Sequence, residues 1–200
     1  MRLWLARIAI GIAVIFLAIL GGLFAMSKRA NAGVMTASIE IARPPAEVRR
    51  WFTDGDKLTQ WVGWLTKVEV VGTPTSGAGT RQRWTMQDPR NGPMQFERVT
   101  EVDDDTMTVV VIKTPGLFTG RLVSRYAATP TGGTRVTSEG RFTYDSFVYT
   151  LLEPLVTPEA EKKEHDDFAR LKQKAEAAPA ASVAVPAAAP AAPAPAAPAK

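Results

Sequence analysis

The spacing of hydrophobic positions changes along this chain, and each change predicts an element. From Ile8 to Ser27 twenty residues run without a charge, IAIGIAVIFLAILGGLFAMS. At about 1.5 Å per residue a helix carries such a run across roughly 30 Å, the thickness of a bilayer's hydrocarbon core. Met35 to Ile41 then mixes β-branched and polar residues in rough alternation, a strand pattern. Pro44 and Pro45 stop that strand, and a proline is tolerated at a first helical position because its missing N–H would be unpaired there anyway. Behind them Val48, Trp51 and Phe52 stand at i, i+3 and i+4, one face of a short helix. Asp54-Gly55-Asp56 is a turn and cap signal, LTQWVGWL repeats the apolar spacing in a second short helix, and Lys67 to Val71 returns to strand.

A meander of strands follows. Gln82, Trp84 and Met86 share one side of Arg81–Met86, with the arginines opposite. DPRNGP from Asp88 to Pro93 reads as a hairpin turn, because Asn-Gly readily supplies positive φ. Met94–Val102 and Thr106–Thr114 pair across Asp103-Asp104-Asp105, and Pro115-Gly116 ends the second of them. Arg121–Ala128 turns Leu122, Ser124 and Tyr126 to one face. After Pro130–Gly133 the last strand carries Val136, Ser138, Gly140 and Phe142 inward and Arg135, Glu139 and Arg141 outward. This alternation fits an antiparallel sheet with one wet face. From about Phe147 the period becomes helical: Val148, Leu151, Leu152, Leu155 and Val156 line one face, continued by Phe168, Leu171 and Ala175. Pro154 and Pro158 each remove an i to i−4 bond, so the helix is expected to kink or split there. Residues 178–200 are almost wholly Ala and Pro, too small to form a core and too rich in proline for a helix. They predict a semi-extended, polyproline-like tail, either without a partner or serving as a spacer in the cell envelope.

Charge and composition narrow the classes. Of the 24 lysines and arginines, Arg2, Arg7, Lys28, Arg29 and Lys200 lie outside the strand-and-helix region, which leaves 19 basic residues against 20 acidic ones. The concentrated basic footprint that nucleic-acid binding needs is therefore missing. Cysteine is absent, so there is no disulfide framework, thiolate metal site or cysteine nucleophile. The apolar run before Ser27 has three readings. A buried core helix is disfavoured, since apolar residues cover every face and a domain this small could not surround it. A cleaved signal peptide would use Ala30-Asn31-Ala32, but the run exceeds the usual h-region of about 7–15 residues. An uncleaved single-span anchor fits its length and the interfacial Trp4. Positive charges nearly balance across the span; its short basic N-terminus favours an exported domain.

Order and spacing together carry a resemblance. Strand, Pro44-Pro45, short helix, break, Trp-bearing short helix and strand between Val34 and Val71 resemble the opening of the START-like (SRPBCC) superfamily, in particular its bacterial polyketide-cyclase-like branch. Gly77-Ala78-Gly79-Thr80 resembles the G-x-G-T before its third strand, Thr131–Thr137 its GGT-x-V-T turn, and Asp167–Lys172 the D-L-x-x-L-K of its closing helix. The resemblance implies an α+β helix-grip fold over residues 34–177, in which a curved antiparallel sheet wraps around a long C-terminal helix and leaves a cavity. Residues 1–33 then form the anchor and a short linker, and 178–200 the tail.

The candidate chemistry is mostly apolar. His165 is the only histidine; it stands in the charged run EKKEHDDFARLK, and adjacent helical residues such as Asp166 do not share its face. The Asp103–Asp105 run lacks calcium-loop spacing and reads as a solvated hairpin tip. No nucleophile elbow, phosphate-binding loop or dinucleotide fingerprint occurs, so no catalytic residue, metal site or cofactor is assigned. Aromatic and sulfur residues on inward faces either fill a core or line a cavity. Trp84, Phe96, Tyr126 and Phe142 are the candidate cavity residues, with Ser124 and Ser138 as polar contacts and Arg98 on the same face as Phe96. The leading expectation is a membrane-anchored module that binds a hydrophobic small molecule such as a lipid, isoprenoid or polyketide-like compound. Two alternatives stay open: a cyclase or dehydratase, marked by an acid/base pair inside the cavity, and an interaction domain with a filled core.

Overall fold

Alternating strands dominate the computed structural model, which describes residues 2–73, 77–89 and 92–179. The chain runs α1 (Arg2–Ser27), β1 (Val34–Ile41), α2 (Pro45–Thr53), α3 (Gly55–Trp61), β2 (Leu65–Val70), β3 (Arg81–Asp88), β4 (Gly92–Asp103), β5 (Met107–Thr114), β6 (Phe118–Ala128), β7 (Thr134–Tyr144) and α4 (Phe147–Ala177). The seven strands form one antiparallel sheet in the order β1-β7-β6-β5-β4-β3-β2. The register shifts between Leu65 and Lys67 in β2 and between Thr100 and Val102 in β4. Such irregularities bend a strand and increase its twist, which suits a sheet that curls around a helix. The expected polyproline-like tail falls outside the described residues beyond Pro179, as do Arg90 and Asn91 of the predicted hairpin turn.

The core gathers where α2, α3 and the C-terminal half of α4 meet the sheet. Pro45 opens α2, whose inward face is the predicted Val48, Trp51 and Phe52. Asp54 caps α3 by accepting from the Asp56 N–H at 3.0 Å. Phe52 packs edge-on against Phe168 and Tyr126 and tilted against Trp61, while the Trp61 indole N–H donates to the Trp51 carbonyl at 2.8 Å. Leu171 and Ala175 of α4 are buried beside them.

The strand register fixes two ends. Val34 faces Arg141, Tyr144 faces Phe118, Phe118 faces Thr114, Gly92 faces Asp88 and Leu65 faces Met86. One end of the sheet therefore holds the start of β1, the β3–β4 and β5–β6 turns and the end of β7. The chain arrives from α1 at this end and departs into α4 from it. The opposite end carries the Asp104–Thr106 and Thr129–Gly133 turns.

Two expectations for α4 are corrected. It is one continuous helix of 31 residues, with Pro154 and Pro158 inside it. A proline costs a helix interior about 3 kcal/mol, but anchoring contacts flank these two. Ser146 caps the first turn, and Glu153 is fixed by three neighbours described below. The apolar face read from Val148 to Val156 is also not core: Val148, Leu152, Leu155 and Val156 all stand exposed. Only the later part of the stripe, Phe168, Leu171 and Ala175, is buried. Asp103 departs from expectation too, because its carboxylate is mostly buried, 3.5 Å from Arg49, rather than free at a solvated tip.

Candidate functional site

A cavity of about 350 Å³ lies between the concave face of the sheet and the helices α3 and α4. Its existence follows from side-chain placement: α4 reaches the sheet through its C-terminal half, so space is left over the middle of β3 to β7. Small-molecule sites span roughly 300–1,000 Å³, and this one sits at the lower end. Trp84, Phe96, Phe142, Ser124 and Ser138, five of the six residues singled out from sequence, line it.

Tyr126 does not line the cavity. It points inward as the alternation requires, but α2 covers that end of the sheet. The Tyr126 ring is packed edge-on against Phe52 at 5.4 Å, and its hydroxyl donates to Thr108 Oγ1 at 2.9 Å. Burial pushes the phenol well above its ordinary range.

Phe118 was not anticipated, because the strand pattern was read only from Arg121 onward. It stands between Phe96 and Phe142, with ring centroids 5.8 Å from each. The signal was present in Phe118, Gly120 and Leu122, which alternate in phase with Ser124. The Phe142 ring lies flat over Gly120 and Gly140: a Cβ at Gly120 would collide with its edge, and one at Gly140 would come within 2.9 Å. These two glycines let the ring lie along the wall instead of across the cavity.

Polar groups are a minority of the lining, and its ionisable members are Asp88, Arg98, Lys163, Glu164 and Asp167. Arg98 of β4 is almost fully buried; it donates to Gln82 Oε1 at 2.9 Å and to the Phe52 carbonyl at 3.0 Å, and it lies over the Trp84 ring. No carboxylate forms an ion pair with it among the described residues, and desolvation lowers its pKa to about 10. Glu164, on α4, accepts from Ser138 Oγ at 2.8 Å through Oε1, while its buried Oε2 has no hydrogen-bond partner among the described residues. Desolvation pushes this carboxyl above the ordinary carboxylate range, against the opposing Ser138 bond and the nearby His165. The inward strand faces are short of carboxylates, as their sequence indicates. Glu164 was missed because it comes from the helix, inside a charged run that reads as a solvated face.

Asp167 closes the wall. It accepts from the Gly63 N–H at 3.0 Å, from Lys163 Nζ at 2.6 Å and from Arg170, and so fastens the turn after α3 to α4. Trp64 follows that turn in left-handed backbone (φ 69°), half-exposed beside the cavity with Lys163 over its ring. His165 is exposed. Among the described residues no group of three or more His, Asp or Glu is placed to hold a metal ion. Chemically, the cavity can take an apolar body, offer a fixed cation at one point and present a protonatable carboxyl at another.

This sheet curled around a C-terminal helix, with a cavity between them, is the START-like helix-grip fold. Solved structures agree. TTHA0849 from Thermus thermophilus superposes with a TM-score of 0.60 at 20% identity over 71% of this chain and 96% of its own. A START superfamily protein from Mycobacterium smegmatis gives 0.60 at 10% identity, covering 72% and 97%. The di-domain ARO/CYC BexL from the BE-7585A biosynthetic pathway gives 0.56 at 18% identity over 73% of this chain and 50% of that one. No curated protein matches. Residues 33–176 match the family described as polyketide cyclase / dehydrase and lipid transport, and the chain belongs to that family.

Proposed function

We propose that this chain is a single-pass membrane protein of the bacterial inner membrane whose domain, on the periplasmic side, holds a hydrophobic small molecule in its cavity. The observation that carries the reading is the cavity itself: about 350 Å³, with a mostly apolar wall that includes Trp84, Phe96, Phe118 and Phe142. Such walls favour a lipid, isoprenoid or polyketide-like body over a charged metabolite. Helix α1, long and apolar enough from Trp4 to Ser27 to cross a bilayer, supports the anchoring. An apolar cargo partitions into the bilayer, and an anchor keeps the cavity beside that reservoir.

A second reading, a cyclase- or dehydratase-like enzyme, is favoured by one observation. Glu164, which has a raised pKa and a buried Oε2 without a hydrogen-bond partner among the described residues, lines the same cavity as the cationic Arg98. A carboxyl tuned towards neutrality is suited to general acid–base work.

The test is a titration of the full chain in lipid nanodiscs with a long-chain fatty acid, an isoprenoid alcohol and a polycyclic phenol, followed by tryptophan fluorescence. Ala160 lines the cavity from α4, so Ala160→Phe fills it. Saturable quenching in the wild type that disappears in Ala160→Phe is expected. Quenching that is linear and identical in both would overturn the binding reading. Turnover of the phenol that Glu164→Gln abolishes would move the assignment to the enzyme.

A further inference from the structure

The first three turns of α4 carry apolar side chains that stand exposed among the described residues. Phe147 is 66% exposed, Val148 60%, Leu155 58% and Val156 45%. Their sequence, FVYTLLEPLV, contains one charge, Glu153, and that charge is neutralised internally. Arg29 grips its carboxylate at 2.7 and 3.0 Å, and the Gly33 N–H and Thr157 Oγ1 donate to it at 2.8 and 2.7 Å. The same contacts tie α1 to α4. The Phe24 and Phe147 rings lie 6.2 Å apart, so the first turn of α4 stands level with the last turn of α1. Further along both segments Arg29 meets Glu153, so the two run side by side in the same direction. The charged part of α4 begins only at Glu159.

We propose that the first three turns of α4 dip into the interfacial layer of the bilayer, making a wedge beside α1 that sets the cavity against the membrane surface. The inference rests on the reading of α1 as a membrane span. Continuity decides the occupant: the exposed face extends an apolar helix already level with it, and Lys28 and Arg29 lie at the boundary where lipid phosphates would be met. Because α4 runs in the direction of α1, Phe147 enters deepest, level with Phe24, and Leu155 lies about 12 Å further along, past the level of Arg29; Tyr149 supplies an amphipathic ring suited to the interface. The end of the sheet on this side carries Asp88, Met94 and Phe118, all cavity-lining residues. Cargo thus passes between bilayer and cavity without crossing bulk water.

The chain has no cysteine, so single cysteines can carry an environment-sensitive fluorophore on the full-length protein. Phe147→Cys and Leu155→Cys report on the wedge, Phe16→Cys on α1 and Thr131→Cys on the far end of the sheet. Each is reconstituted in vesicles of phosphatidylethanolamine and phosphatidylglycerol at about 3:1, with and without lipids brominated near the headgroup end of their chains. Brominated lipid is expected to lower emission at 147 at least about twofold, to lower it at 155 by less, and to leave 131 unchanged, as an outward-running α4 requires. If 147 and 155 behave like 131 while 16 is shielded from aqueous iodide, the wedge is refuted and the anchor stands. Iodide reaching 16 would remove the anchor and the wedge together. If 147 and 155 are shielded from both quenchers until the protein is diluted in the vesicles, a second copy covers this face and the proposal is overturned.

Discussion

Glu153 makes the sharpest prediction for stability. It is a buried carboxylate with four hydrogen bonds, two from Arg29, one from the Gly33 N–H and one from Thr157. Glu153→Gln can keep the Gly33, Thr157 and Arg29 Nη2 bonds on its remaining oxygen, but its amide N–H then faces the Arg29 Nη1 donor. One charge-assisted bond is lost, at about 1.5–3 kcal/mol when buried. The Arg29 side chain is 37% exposed, so solvent screening roughly halves this, giving about 1–1.5 kcal/mol. For a domain of this size that is a fall in Tm of about 2–6 °C. Burial opposes ionisation, but the Thr157, Gly33 and Arg29 bonds outweigh it and hold the carboxyl below its ordinary range. A lowered folded-state pKa gives stability that is present above the unfolded value and lost as pH falls through the folded one. The wild type should therefore lose ground to Glu153→Gln below about pH 4, and their curves should converge. Thermal unfolding of the full chain in detergent, read by tryptophan fluorescence from neutral to strongly acidic pH, measures both effects. A change under about 0.5 kcal/mol at neutral pH would refute the clamp.

Other substitutions test the cavity. Gly120→Ala drives a methyl into the Phe142 ring; overpacking of about 1–3 kcal/mol should lower Tm and displace the ring into the cavity, seen as weaker ligand quenching. Glu164 has a raised folded-state pKa, so its contribution to stability is complete below the unfolded value and is lost as pH rises through the folded one. Affinity for an apolar ligand should fall over the same interval as the carboxyl ionises, a change that desolvation opposes most, that Ser138 and His165 assist, and that Asp167 and Glu161 oppose. Glu164→Gln should bind with no such pH dependence, and a titration series from acidic to slightly alkaline pH decides it. Arg98→Met removes a buried cation with no ion-pair partner among the described residues. Replacing buried charge with apolar volume is often neutral or stabilising by about 1–4 kcal/mol; chemical denaturation should find the variant no less stable, while anionic ligands lose affinity.

Much of the fold was legible because strand alternation has a period of two and fixes facing directly. Gln82 and Trp84, Ser124 and Tyr126, and Val136 and Ser138 all point as their pattern requires. What alternation does not say is what covers a face. Tyr126 and Phe142 are both inward, but α2 packs over one and leaves the other on an open wall. The same gap misread α4. Val148 to Val156 has the spacing of a helix that excludes water, and nothing in the spacing tells a protein core from a lipid surface. Glu164 shows the converse: a charged run on a helix reads as solvated, although α4 turns one of its carboxylates into an apolar cavity. Pro154 and Pro158 were given their local cost correctly, and the Glu153 contacts and the Ser146 cap hold the helix through them.

Occupancy of the cavity by a hydrophobic molecule is the central claim. Native mass spectrometry of a fragment from Lys28 to Ala177, which keeps the Arg29–Glu153 pair, tests it when the fragment is purified without detergent from a lipid-containing extract. The expected result is a discrete added mass at one-to-one stoichiometry that Trp84→Ala or Ala160→Phe abolishes. A clean unliganded mass, with no uptake from fatty-acid, isoprenoid and polycyclic phenol panels, would contradict the claim and leave the domain an interaction module with an empty pocket.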